Sequence, residues 1–408
     1  MNQERYCPCV DPVREIEGLV AHEGRWPGTD AERRAARHLE RRLRDQGREA
    51  EVEHVEIWPN WPLAHVLHAL LAIGGSVLAI SQPVAGAVLI AVALVSAFGD
   101  LTSSFYLVRR LTGRRASQNV VSREESDRPG TLVLVAHYDA ARTGAIYGRR
   151  GSERRARLGR LIRRPIGPFE PFFWSIALAL ACALLRVGGV EGNGLAGVQF
   201  AATVALIVSV PLLADVALSG VVPGANDNAS GVVTVMRLAE RYGGDLDHWD
   251  VWVVLPGAEE GLLLGMRGWM KRHRRELDPA RTAFLCVDMA GAGTVRYARR
   301  EGLLFARSYH SSLIELCDTI AAEDAEGEDR YGARSYVSRI ATDSFIARKA
   351  RFPAIRVACL DELDLAPHHH LPGDTVENLD PEALERAFRF CSELIELIDY
   401  ELGPELDH

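Results

Sequence analysis

Two glutamates, Glu259 and Glu260, stand side by side where the apolar run WVVL ends at Pro256-Gly257. On a regular strand neighbouring side chains face opposite sides, so an adjacent pair can serve one site only where the backbone turns. Such a pair suits two different jobs at the end of a buried strand. It also suits a solvated helix start, where acids offset the N-terminal dipole. A second apolar run, TLVLVAHYDA (131–140), ends in His137 and Asp139. Positions i and i+2 share a strand face, so Asp139 can orient the imidazole of a ligating His137 or form a purely structural pair with it. Asp227 lies in the Gly/Asn-rich turn VVPGANDNASG, where Ser230 is placed to cap the helix GVVTVMRLAE. Asp288 ends a third run, TAFLCVDMAG. Three histidines in a row, His368 to His370, offer either one ligand or polar surface.

Three apolar strands that each end in metal-capable residues match the carboxyl ends of strands in an open α/β sheet. Two imidazoles and three carboxylates suit a pair of zinc ions with one carboxylate bridging, and a further carboxylate is left as general base. Upstream, TDAERRAARHLERRLRDQG (29–47) reads as an amphipathic helix, with Thr29 as cap, Glu32 three residues on and Gly47 as stop. EVEHVEI (51–57) alternates as a strand does.

The 408 residues suffice for one large domain or two ordinary ones. The composition leans apolar, 48% hydrophobic against 25% charged, and the formal net charge of -8 argues against a nucleic-acid partner. Seven cysteines are scattered, with Cys7 and Cys9 as the close pair, so neither a disulfide framework nor zinc-ribbon spacing emerges. The opening MNQERYCPCVDPVREIEG carries no signal-peptide core.

Four nearly continuous apolar runs cover 62–80, 83–99, 171–185 and 195–220. A bilayer crossing takes roughly 20 such residues. These runs therefore read as two transmembrane hairpins, or else as hairpins buried in a soluble core or dimer interface. His65, His68, Asp100 and Asp215 stand where side chains snorkel at a membrane edge; His65 and His68 also have the i, i+3 spacing of ligands. Arg109, Arg110, Arg114 and Arg115 follow the first hairpin, and the run from Arg149 to Arg164 precedes the second. By the positive-inside rule the flanks, and with them the hydrophilic domain, face the cytoplasm, with Arg149–Arg164 against anionic lipid headgroups.

The motifs GRWPGTDAER, NVVS, AHYD, PGANDNASG, EEGLLLG, VDMAG and HLPGDTVENLD occur in that order. Through them the chain resembles the zinc exopeptidases of metallopeptidase family 28 over 15–57, 117–148 and 222–400. The resemblance implies an α/β fold with a mixed, mostly parallel central sheet flanked by helices, here carrying two inserted transmembrane helical hairpins. Residues 1–61, 109–166 and 221–408 would build the peptidase domain, and 62–108 and 167–220 the hairpins. The resemblance also implies two Zn2+ ions: His137 and Asp288 on one, Glu260 and His370 on the other, Asp227 bridging. Glu259 would be the general base and Asp139 the orienter of His137. Of the three histidines, His370 alone satisfies the family spacing His-x-Pro-x-Asp-Thr, through Pro372, Asp374 and Thr375. A cis peptide at Asp227-Asn228 is implied as well.

The implied activity is an aminopeptidase acting on peptide substrates. A metal-bridging water would attack, and Glu259 would take its proton and pass it to the leaving amine, with Tyr331 or Tyr336 as candidate helpers. Carboxypeptidase or glutaminyl-cyclase activity at the same site, or an inactive membrane scaffold, is the alternative. One shared site demands that each hairpin return to the side it left, whether by crossing the bilayer an even number of times or by dipping into one leaflet. The sequence leaves the oligomeric state open.

Overall fold

The computed structural model describes residues 11–327, 330–403 and 406; Cys7 and Cys9 lie outside the described residues. The strands are β1 (Glu51–Ile57), β2 (Arg115–Ser122), β3 (Gly130–Val135), β4 (Trp249–Leu255), β5 (Thr282–Val287), β6 (Thr294–Glu301), β7 (Arg307–Ser308), β8 (Arg334–Val337) and β9 (Ala354–Leu360). They form one sheet in the order β1-β2-β4-β3-β5-β9-β6-β7, with β8 also paired to β6. The centre, β4-β3-β5-β9, is parallel. Its strands are Val/Leu/Ile-rich and almost wholly buried, as expected when helices cover both faces. Edge strand β1 is instead more open, with Glu51, His54 and Glu56 exposed and Glu53 and Ile57 buried. Four of the eight pairings among the described residues are parallel, so the expected mixed sheet is present, with parallel pairing concentrated in its covered centre.

The helices are α1 (Pro12–Val20), α2 (Asp30–Asp45), α3 (Trp61–Leu78), α4 (Pro83–Leu101), α5 (Arg149–Leu161), α6 (Glu170–Val187), α7 (Asn193–Leu218), α8 (Gly231–Tyr242), α9 (Leu264–His273), α10 (Ser311–Glu326), α11 (Asp343–Lys349) and α12 (Pro381–Leu397). In α2 the buried Ala31, Ala35, Leu39 and Leu43 recur every four residues and face the core. Helices α8 and α12 pack together on the sheet, as do α9 and α11.

Helices α3, α4, α6 and α7 are each long and apolar enough to cross a membrane. They close a ring, α3 against α4 and α7, and α6 against the same two. The ring has its own core of small residues, among them Ala69, Ala72, Ala93, Ala97, Ala179 and Ala183. Small side chains let helix backbones approach closely. At Gly86 the approach is so close that an added Cβ would lie 2.5 Å from the Gly75 carbonyl oxygen. Inside, Ser76 Oγ meets Thr203 Oγ1 at 2.8 Å, and Gln199 Nε2 donates to the Ser76 carbonyl at 2.6 Å. Outside, Val77, Ile80, Val84, Val88, Leu184, Phe200 and Val208 are exposed.

The snorkelling expected of His65, His68 and Asp100 does not occur, whereas Asp215 is half-buried at the end of α7. His65 and His68 are fully buried; their Nδ1 atoms are 3.1 Å apart, and His68 Nε2 is 2.7 Å from Ser96 Oγ. Asp100 is buried in a 2.6 Å ion pair with Arg109. Asp215 accepts the Ala145 N–H at 2.7 Å. Polar groups with neighbours inside the bundle gain more from bonding there than from reaching outward.

Candidate metal centre

The order β4-β3-β5 sets the carboxyl ends of three strands side by side. Beyond β3 the chain delivers His137 and Asp139, beyond β4 Glu259 and Glu260, and beyond β5 Asp288. Asp227 arrives from the turn before α8, and His370 from the loop after β9. His137 Nε2 lies 3.3 Å from Asp227 Oδ1, 3.6 Å from Asp288 Oδ1 and 4.0 Å from Glu259 Oε2. His370 Nε2 lies 3.3 Å from both Asp227 Oδ2 and Glu260 Oε2. The two oxygens of Asp227 therefore face two different groups. His369 stacks on His370 and comes within 3.6 Å of Asp227 Oδ2; His368 is exposed.

The glutamate pair does lie where the backbone turns: Ala258, Leu262 and Leu263 all have positive φ. Both side chains are buried, which removes the solvated-helix-start alternative. Asp139 holds this turn, its Oδ1 accepting the Glu259 N–H at 3.1 Å and its Oδ2 the Glu260 N–H at 2.9 Å. Its Oδ1 is 3.5 Å from His137 Nδ1. Glu32 grips the same turn. Thr29 caps α2 as expected, but the Glu32 carboxylate also reaches the Ala258 N–H at 3.0 Å and Ser117 Oγ at 2.6 Å. The bundle adds Trp61 Nε1, which donates to the Glu260 carbonyl at 2.9 Å, and Arg109, which donates to the Gly261 carbonyl.

The Asp227-Asn228 peptide is cis, as the motif resemblance implied. Asp374 accepts the N–H groups of Asn226 and Asp227 at 2.7 and 3.1 Å. Asn228 Oδ1 receives Gly231 N–H and Met289 N–H, tying the Asp227 turn to the Asp288 loop. Ser230 is not a side-chain cap; its Oγ is taken up by the Asn226 carbonyl, to which it donates, and by the Ala290 N–H of the loop after β5, from which it accepts.

Burial presses the Glu259 carboxyl well above the usual range, against the pull of His137. Burial would depress His137, but Glu259 and the carboxylates of Asp139, Asp227 and Asp288 drive its imidazole well above the ordinary value. His370 is raised likewise, against its burial, chiefly by Glu260. Asp227 is held well below its usual range by both imidazoles in spite of burial. Five carboxylates thus face two imidazoles, and Arg356 offsets one of them, donating to Asp288 Oδ2 at 2.7 Å. Glu260 Oε1, Asp288 Oδ1 and His370 Nδ1 are buried without hydrogen-bond partners. Buried charge needs counter-charge, and this donor set of imidazole and carboxylate suits divalent zinc.

Several residues here escaped the sequence reading. Arg356, in an otherwise apolar strand, and Asp343, whose carboxyl burial pushes up to about 8, gave no local signal. Tyr147 stands edge-on to His370, ring centres 4.4 Å apart. Tyr331 is elsewhere, bonded to Glu393 at 2.6 Å and packed on Phe390; Tyr336 lies in a neighbouring cavity. A pocket of about 90 Å³ opens over the centre, and Trp61 and Phe169 from the hairpin ends line it.

Residues 209–395 match the model of Peptidase family M28. No curated protein matches the chain in sequence. Several solved structures share its fold. A Zn-dependent exopeptidase from Parabacteroides distasonis ATCC 8503 is 12% identical with a TM-score of 0.53, over 96% of this chain and 97% of that one. A leucine aminopeptidase precursor from Bacteroides thetaiotaomicron VPI-5482 is 13% identical at 0.51, over 94% and 95%. Tannerella forsythia glutaminyl cyclase is 15% identical at 0.52, over 94% and 97%. At these identities the likeness is one of fold.

Proposed function

We propose that this chain is a membrane-anchored, dinuclear zinc aminopeptidase that removes N-terminal residues from peptides. The observation that carries the reading is Asp227, whose Oδ1 faces His137 and whose Oδ2 faces His370. His137 and Asp288 would hold one ion, Glu260 and His370 the other, with Asp227 shared. Zinc held there supplies an activated water and polarises the scissile carbonyl. Glu259 has its carboxylate near His137 and a raised proton affinity, and it takes the proton of the attacking water and hands it to the leaving amine. Asp139 keeps Glu259 and Glu260 at their stations through their backbone N–H groups. Tyr147, rather than Tyr331, is the phenol placed to donate to developing charge at the His370 side.

The four apolar helices would anchor the peptidase in a bilayer with its catalytic domain on the cytoplasmic side. The outward apolar side chains support this, since large exposed apolar surfaces mark membrane or protein contact. The first hairpin leaves β1 and returns to β2, and the second leaves α5 and returns at the Asp227 turn, so each rejoins the catalytic domain, which also suits two return crossings.

The test is release of N-terminal residues from free and N-blocked peptides by detergent-purified, zinc-loaded protein. Cleavage of free but not blocked peptides, abolished in Glu259→Gln with zinc retained, is expected. Turnover by Glu259→Gln at the parent rate, or none by the parent with zinc bound, would refute the reading.

A further inference from the structure

A cavity of about 380 Å³ adjoins the metal centre, within the size range of small-ligand sites. Tyr147, Met289, Ile340 and His369 line both spaces, so the two are continuous. Helix α5 and the segment after it form one wall, and the β8–β9 side of the sheet the other.

The charge lining this cavity is one-sided. Arg155, Arg160, Arg163, Arg164, Arg339 and Arg356 line it, against a single acid, Asp364. That acid is engaged by Arg296 and Arg334, at 3.2 and 2.8 Å. Glu170 neutralises Arg164 and Arg339, and Asp288 and Glu301 neutralise Arg356. Arg160 donates to the Glu362 carbonyl. Among the described residues, Arg155, Arg160 and Arg163 have no carboxylate partner. Arg155 is partly buried, and that desolvation lowers its pKa. A guanidinium drawn from water without a counter-ion is a site for an anion. The remaining walls, with Ile146, Pro165, Val337 and Leu365, are apolar, which suits a peptide better than a free inorganic ion.

We propose that this cavity binds a carboxylate of the peptide substrate close to the scissile bond, either an acidic side chain or a free C-terminus. The proposal rests on the peptidase reading for the word substrate, but its test does not depend on turnover. The arginines of α5 and the following turn lie outside the stretches that carry the family motifs, so they would give this chain a preference of its own. Arg150, Arg154 and Arg157 are exposed and do not line the cavity.

The experiment is calorimetric binding of the peptides Leu-Glu-Leu, Leu-Gln-Leu and Leu-Lys-Leu, each as acid and amide, to zinc-loaded Glu259→Gln protein in detergent. Glu is expected to bind about tenfold more tightly than Lys at low salt, with the gap closing near 0.5 M salt. A gap between acid and amide forms assigns the C-terminus; a gap among side chains in the amides assigns the acidic residue. R155E/R163E is expected to reverse the order, and R155Q/R163Q to flatten it should the reversal variant fold poorly. Equal affinities for all six peptides, or a Glu preference that survives both variants, would overturn the proposal. So would competition by phosphatidylglycerol vesicles without discrimination among peptides, which would hand the arginines to the lipid surface. An enzyme that binds acidic peptides selectively but cleaves none would leave this inference standing and the peptidase reading refuted.

Discussion

Replacing Asp139 with asparagine changes one atom in a residue that need not touch substrate, yet it strikes the turn that holds both glutamates. The carboxylate accepts two backbone N–H groups, Glu259 at 3.1 Å and Glu260 at 2.9 Å. An asparagine retains one acceptor, so its amide must face the other N–H. Hydrogen bonds to a charged acceptor contribute about 1.5–3 kcal/mol, and a buried donor left without a partner costs about 1–3 kcal/mol. A net loss of about 3 kcal/mol is expected, divided between stability and the positioning of Glu259 and Glu260. At about 1.4 kcal/mol per decade, kcat/KM on a free peptide should fall by up to about 100-fold. Zinc affinity, measured by competition with a chelator, should fall by about 10–100-fold, as when a partner behind a metal ligand is removed. Asp139→Ala, with both acceptors gone, should be worse in each assay. Parent-like kcat/KM and zinc affinity in Asp139→Asn would show that the turn holds itself, and the reasoning would fail.

In the metal-free protein His137, His370 and Glu260 bind protons more tightly than the free side chains do, so zinc uptake should displace protons. The calorimetric enthalpy should therefore track buffer ionisation heat and zinc affinity should weaken as pH falls; no buffer dependence would contradict the raised imidazoles. Arg356→Met leaves Asp288 and Glu301 buried beside an apolar side chain, a loss of about 3–5 kcal/mol that a lowered Tm should register; an unchanged Tm would show that the two acids find other compensation. Gly86→Leu forces α3 and α4 apart, since even a Cβ would meet the Gly75 carbonyl oxygen at 2.5 Å. Overpacking costs about 1–3 kcal/mol, and the outward Val88→Leu, which meets no helix, serves as the control in detergent-solubilised melting.

Much of the centre was legible from spacing because strand ends and turns are local. Apolar runs ending in His137, Glu259, Glu260 and Asp288 stop where β3, β4 and β5 stop, and the Gly/Asn turn around Asp227 takes its shape from residues a few positions away. The hairpins were legible for the same reason, as length and hydropathy are properties of single segments. The domain match begins at residue 209, so His137 and Asp139 join the site through the pairing of β3 between β4 and β5.

Partnership across the fold was not legible, because it depends on which segments the sheet order makes neighbours. Nothing local marks Arg356 as the counter-ion of Asp288, Glu32 as a support for the Ala258 turn, or Tyr147 as the ring beside His370. Each bond joins residues far apart in sequence, and its sign was open until burial removed the competing water. His65 and His68 show the same limit in the other direction: their position allowed a membrane-edge role, and burial beside Ser96 and Asp100 replaced it. The arginines from Arg149 to Arg164 read as a basic run in one dimension, and only the folded chain turns Arg155, Arg160, Arg163 and Arg164 toward a cavity and leaves the others outside. The sequence by itself determined the chemical groups and the segments that carry them; the tertiary structure decided which charges meet, because electrostatic partnership is a property of distance and burial rather than of order along the chain.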